Sequence, residues 1–254
     1  MTTWVLLRGL TRESRHWGEF PAVLRVQLPA AQVVTLDLPG SGRLYRENSP
    51  WRIEEMAACE RSELAARGYA PPYYVIGLSM GAMVAVAWSA LYPQELRGCV
   101  LINASLRRFD PFYRRLRPGA WPGLLKLIGG DVVRHERAIL RLTSCRGDAQ
   151  ADVLDNWVRY QRECPVSRRN ALRQLLAAAL YRPPVTKLAV PLLVLASEHD
   201  ALVDSRCSRN LAARWKTALA IHPGAGHDLP LDDAAWVAEQ VRDWLAAGAE
   251  TAGA

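Results

Sequence analysis

The 254-residue sequence predicts an α/β architecture built on a mostly parallel sheet. Three observations carry that expectation. Short apolar runs rich in β-branched residues alternate with helix-patterned segments through residues 1–104. Residues 105–184 break the alternation with helical patterns alone. Strand-like runs return after 185. Strands alternating with helices read as βαβ units, which pack helices on both faces of a parallel sheet. The expected organisation is therefore a core of residues 1–104 and 185–254, with a helical insertion at 105–184.

Residues 3–7 (TWVLL) fit a buried strand ending in Arg8-Gly9-Leu10. A helix is expected over 17–26 and a second strand over 33–36, followed by the turn-rich DLPGSG at 37–42. Residues 53–67 form an amphipathic helix, with Gly68 placed to cap it. Residues 73–76 are the third strand, 80–92 a small-residue helix stopped by Pro93, and 98–102 the fourth strand. In the insertion, 124–128, 132–142, 153–160 and 169–181 are helical. Strands follow at 191–196 and 218–222, with helices at 205–215 and 234–246 and a frayed tail over 247–254.

The stretch 73–92 organises the rest. A strand runs straight into Gly77-Leu78-Ser79-Met80-Gly81 and then into a helix. That context turns a common pentapeptide into a nucleophile elbow, in which the serine sits in a sharp turn and the glycines admit close neighbours. No charged residue occurs from 68 to 94, long enough to span a bilayer. Pro71, Pro72 and the glycine turn interrupt the run, so burial in an α/β core explains it better than a membrane span.

Half of the residues are hydrophobic and 22% are charged, an ordinary globular balance. The five cysteines, Cys59, Cys99, Cys145, Cys164 and Cys207, never fall in a Cys-x-x-Cys pair. That argues against a disulfide framework or a zinc site and fits a reducing cytoplasm. No signal-peptide pattern is visible at the start. No metal-ligand cluster or phosphate loop is visible, so no metal or cofactor is expected. The net charge of +7 comes from one segment: residues 105–185 carry sixteen cations against seven acids. No nucleic-acid motif or basic–aromatic stripe accompanies that charge, so nucleic acid is not an expected partner. It reads as a solvated surface or as attraction for an acidic substrate.

Ser79, Asp200 and His227 occur in the order nucleophile, acid, histidine, each just past an expected strand. A serine is a poor nucleophile until a base takes its proton. His227 is the candidate base and Asp200 the residue that orients it. The backbone N–H groups of Met80 and Leu10 are the expected oxyanion donors. Glu198 and Asp204 flank Asp200 as weaker candidates for the acid, His222 reads as a strand histidine, and Asp37 as a structural loop carboxylate.

Together, Gly77 to Gly81, the 37–42 loop, Asp200-Ala201-Leu202-Val203 and Gly226-His227 make the chain resemble the esterase-like branch of the α/β-hydrolase superfamily. The segment 14–17 is similar to the one that follows the family's first glycine turn. The resemblance implies an α/β-hydrolase fold with a trimmed sheet of about six strands, and an insertion acting as a lid. It implies a serine nucleophile, not the aspartate of dehalogenases and epoxide hydrolases. The family usually has His-Gly where this chain has Arg8-Gly9. Arg8 either alters the oxyanion loop or substrate preference, or is a neutral surface replacement, which is the preferred reading.

The expected function is a cytoplasmic serine hydrolase cleaving a small-molecule carboxylic ester or thioester, of neutral, anionic or carrier-bound type. Arg8, Arg134, Arg137 and Arg141 are candidate substrate contacts, and Arg114, Arg115 and Arg117 extend the same basic rim. Arg134, Arg137 and Arg141 are spaced to share one helix face. The same triad also serves C–C bond hydrolases and menaquinone-pathway elimination enzymes. A catalytically inactive binding module on this fold is the alternative of another class. Acyl chain, alcohol and oligomeric state have no readable code in the sequence.

Overall fold

The computed structural model describes residues 2–122, 131–146 and 151–252. The expected helix at 124–128 lies outside the described residues. Six strands form one sheet: β1 (Thr2–Leu7), β2 (Ala31–Leu36), β3 (Tyr73–Leu78), β4 (Leu96–Ile102), β5 (Leu192–Ser197) and β6 (Ala218–His222). Their spatial order is β2-β1-β3-β4-β5-β6, and every pairing is parallel. The α/β expectation holds, with the sheet parallel throughout.

Period-two alternation sends successive residues to opposite faces. Val5 and Leu7 of β1 join one core cluster, while Trp4 and Leu6 join the other. The cluster of Val5 and Leu7 lies against the helices that follow β2 and β3. Helices α2 (Ile53–Ala66) and α3 (Met80–Leu91) supply Ile53, Met56, Leu64, Val84 and Trp88 to it. Helix α1 (Phe20–Gln27) instead brings Phe20 and Leu24 to the opposite face. The central strands β1, β3, β4 and β5 are thereby buried on both sides, which is why they read as nearly continuous apolar runs.

Between β4 and β5 lie α4 (Phe112–Arg115), α5 (Val132–Thr143), α6 (Ala151–Glu163) and α7 (Arg168–Leu180). Asp131 caps α5 by accepting from the Arg134 N–H, and Ser167 caps α7 by accepting from the Asn170 N–H. After β5 come α8 (Ser205–Trp215), α9 (Leu229–Asp232) and α10 (Ala234–Ala252). Leu211 and Trp215 of α8 pack in the first cluster, and Val237 and Val241 of α10 in the second.

Two local expectations change. The single helix expected over 17–26 is a 3-10 turn at Ser14–Trp17 followed by α1. Gly18 at φ 53° breaks the path between them, and a proline then starts α1. The last helix does not stop at 246 but runs to Ala252, through the alanine-rich segment whose helix propensity the frayed-tail reading undervalued. Gly68 follows α2 at φ 79°, as its capping role requires.

The glycines of the elbow are needed for close approach. A Cβ on Gly81 would meet the Leu7 carbonyl oxygen, with the Arg8 carbonyl oxygen at 2.7 Å. One on Gly77 would lie 2.5 Å from the Ala82 nitrogen. These are main-chain atoms that cannot swing aside, so α3 sits tightly over β1 and β3. That packing sets where Ser79 emerges.

Candidate active site

Ser79 lies between β3 and α3 at φ 56° and ψ −114°. A side chain rarely adopts this left-handed conformation, and it persists only where its surroundings enforce it. The Ser79 N–H donates to the Ile102 carbonyl at the end of β4 (2.9 Å). The next residue, Asn103, is buried and also left-handed at φ 47°. Its Nδ2 donates to the His227 carbonyl (2.8 Å) and to Ser197 Oγ (3.1 Å), and its Oδ1 accepts from the Ser197 N–H (2.9 Å). Adjacent residues at one strand end therefore hold both the serine turn and the histidine loop.

His227 and Asp200 form a buried pair: the imidazole Nδ1 lies 2.7 Å from Asp200 Oδ2. Asp200 Oδ1 accepts from the N–H groups of Leu202 (2.7 Å) and Val203 (2.8 Å). Those two bonds fix the carboxylate plane and leave Oδ2 for the imidazole. Burial alone would lower the His227 pKa, but the charge and hydrogen bond of Asp200 outweigh it, and the net shift is upward. Asp228 adds to the rise and Arg8 opposes it. Among the described residues no hydrogen bond joins the Ser79 hydroxyl to His227. Free enzymes often close that contact only around substrate. The N–H groups of Leu10 and Met80 are likewise not taken up by hydrogen bonds among the described residues.

Arg8 is not a surface replacement. It is 2% exposed and grips Asp228 through both terminal nitrogens, at 3.0 and 2.5 Å. Its guanidinium also lies over Trp17, 4.9 Å from the ring centroid. The reason is a partner 220 residues away, which local patterning cannot reveal. The rest of the turn after β1 is anchored as firmly. Thr11, at φ 57°, donates its N–H to Gln174 Oε1 on α7 (2.8 Å). Gln174 Nε2 in turn donates to Ser41 Oγ and Ser49 Oγ. Arg12 donates to Glu136 on α5 (2.6 Å) and lies 4.3 Å from the Trp157 ring centroid on α6. His16 sits in the same cluster, held neutral by burial and by the neighbouring Arg12 and Arg8 charges.

Arg134, Arg137 and Arg141 do share one face of α5, and that face is exposed. The opposite face carries the buried Glu136, Leu140 and Thr143. Thr143 accepts the Asp228 N–H through its carbonyl (2.7 Å), so the face turned to the histidine loop is not the arginine face. Arg115 donates to the carbonyls of Ala178 and Ala179, and Arg117 to the Asp200 carbonyl (2.8 Å). Both brace the structure internally. Glu198 is exposed and pairs with Arg209. Asp204 caps α8 and pairs with Arg206. His222 lies near Asp233 and Trp236. Asp37 is buried and accepts from the N–H groups of Ser14 and Arg43, as a structural loop carboxylate should.

Asn103, Gln174, Asp228 and Asp232 went unmarked in the sequence. Asp232 accepts from the Gly226 N–H (2.7 Å), which fixes the residue before His227. The signal available for Asn103 and Asp228 is their place, one just past a strand end and the other next to the candidate base. Among the described residues no cluster of histidine, cysteine or acidic groups could hold a metal, and no helix is long and apolar enough to cross a membrane. The five cysteines are free.

A profile described as the alpha/beta hydrolase family matches residues 4–240. The chain is 28% identical to the biotin biosynthesis bifunctional protein BioHC of Cellvibrio japonicus, over 82% of this chain and 40% of that protein. It thus spans less than half of that relative. It is 27% identical to a pimeloyl-[acyl-carrier protein] methyl ester esterase of Xanthomonas campestris pv. campestris, over 96% of this chain and 94% of that one. The crystal structure of an esterase from Rhodococcus sp. ECU1013 superposes with a TM-score of 0.74 at 21% identity, over 96% of this chain and 90% of the other.

Proposed function

The chain belongs to the alpha/beta hydrolase family, and on that premise we propose that it is a serine hydrolase cleaving carboxylic esters, with Ser79, His227 and Asp200 as its catalytic residues. The observation that carries this reading is the buried Asp200–His227 pair, held by the same strand ends that hold the left-handed Ser79. The Ser79 oxygen attacks the ester carbonyl as His227 takes its proton. The N–H groups of Leu10 and Met80 receive the oxyanion. Collapse breaks the bond to the alcohol, which leaves with the proton from His227. Water, activated by the same imidazole, then attacks the acyl-enzyme and releases the acid.

Fluorophosphonate labelling tests the nucleophile directly. One adduct is expected, on the peptide containing Ser79, and prior loading with an ester substrate should slow it. An unlabelled Ser79, or an adduct elsewhere, would count against the assignment.

The insertion at 105–184 is proposed as a lid. Its helices reach the site region through Glu136, Trp157 and Gln174, which all contact the turn after β1. The esterase relatives act, by name, on a carrier-bound methyl ester. The corresponding proposal here is an ester whose acyl part or carrier is anionic, drawn by the exposed arginine face of α5. That face is turned away from the histidine loop, so its role is long-range attraction. Raising salt should lower kcat/KM for an anionic ester several-fold more than for a neutral ester of equal length. Equal responses would remove the attraction.

A further inference from the structure

We propose that Arg8 and Asp228 form a positioning couple for His227, in which the guanidinium neutralises the carboxylate next to the base and ties its loop to the turn after β1. The couple deepens the reading of His227 as the base and rests on it. Both members are 2% exposed. Asp228 is fixed at three points: its carboxylate by both arms of Arg8, its N–H by the Thr143 carbonyl, and its own carbonyl by the N–H groups of Leu231 and Asp232. The Arg8 Nε has no partner among the described residues, and no second carboxylate bonds the guanidinium there. Arg8 directly precedes Gly9 and Leu10, so one side chain spans the histidine loop and an oxyanion donor.

The charges around the imidazole explain why the pairing matters. From the loop after β5, Asp200 bonds Nδ1; from its own loop, Asp228 adds a second carboxylate; from the turn after β1, Arg8 opposes them. Asp232 lies further back, on the Gly226 N–H, and α5 contributes the Thr143 backbone. Arg12 stands behind Arg8 across the neutral His16. One carboxylate orients the base. A second, unpaired, would hold the imidazole protonated into the pH range where it must accept a proton. Arg8 cancels that second charge, and its bidentate geometry suits it better than a lysine.

The test is the pH at which His227 titrates, read by NMR of the imidazole in a Ser79→Ala background and by the acid limb of kcat/KM in the active protein. Arg8→Gln should raise both by about one pH unit, and Asp228→Asn should lower both by a similar amount. The double substitution should return them close to the parent value. Arg8→Lys keeps the charge and loses the fork, so it should reduce kcat with the limb in place. A buried charge left alone can unfold a single variant; the double variant and Arg8→Lys then decide. Shifts of the same sign in the two single variants, or a double variant displaced from the parent, would overturn the couple. So would an Arg8→Lys limb that moves like that of Arg8→Gln. The NMR reading needs no turnover. Hydrolysis that survives loss of His227 would sink the base assignment and leave the titration result to judge the couple alone.

Discussion

Replacing Ser79 with Ala should lower kcat for p-nitrophenyl butyrate by three or more orders of magnitude, roughly the range for loss of an activated serine. It should leave the folded protein almost unchanged. The hydroxyl makes no hydrogen bond among the described residues, so its removal orphans no buried partner. The left-handed backbone at φ 56° is equally strained with alanine. The elbow is set by the tight packing of Gly77 and Gly81, which the substitution does not touch. Steady-state hydrolysis and thermal melting together check this. A variant that keeps most of its turnover would show that another group attacks the ester.

Asp200→Asn should cost about four orders of magnitude in kcat with a modest change in KM, and the structure gives the reason. Oδ1 already accepts two main-chain N–H groups, from Leu202 and Val203. An asparagine will keep its carbonyl oxygen there and place its NH2 where Oδ2 stood, facing His227 Nδ1. That nitrogen must then accept, so the ring proton moves to Nε2 and the imidazole can no longer take the proton of Ser79. The variant should melt close to the parent, because the loop bonds survive. Activity within ten-fold of the parent would show that the imidazole is oriented by some other group.

The local part of this architecture was legible in the sequence. All six strands follow from short apolar runs; in β1, β3, β4 and β5 burial on both faces leaves a composition that no loop would carry, while the edge strands β2 and β6 are less buried. The elbow was legible because strand, glycine turn and helix meet within a few residues, and Asp200 and His227 because each follows a strand end. Pairings set by tertiary distance were not legible. Arg8 gave no sign of Asp228, and a lone arginine after a strand has the same local pattern whether exposed or buried. The arginines of α5 showed their shared face through spacing, but spacing cannot say which way that face turns. Helical periodicity continues across Gly18, so spacing alone does not reveal the break there.

The turn after β1 bears on how such enzymes diversify. Thr11 and Arg12 hold α7, α5 and α6 through Gln174, Glu136 and Trp157, while Arg8 holds the histidine loop. The inserted helices are therefore not an interchangeable cassette laid over a finished catalytic core. A replacement segment without these three partners would leave the buried Arg12 guanidinium unanswered. Exchanging the helices between β4 and β5 as a block loses those contacts, whereas substitutions that spare Gln174, Glu136 and Trp157 keep them.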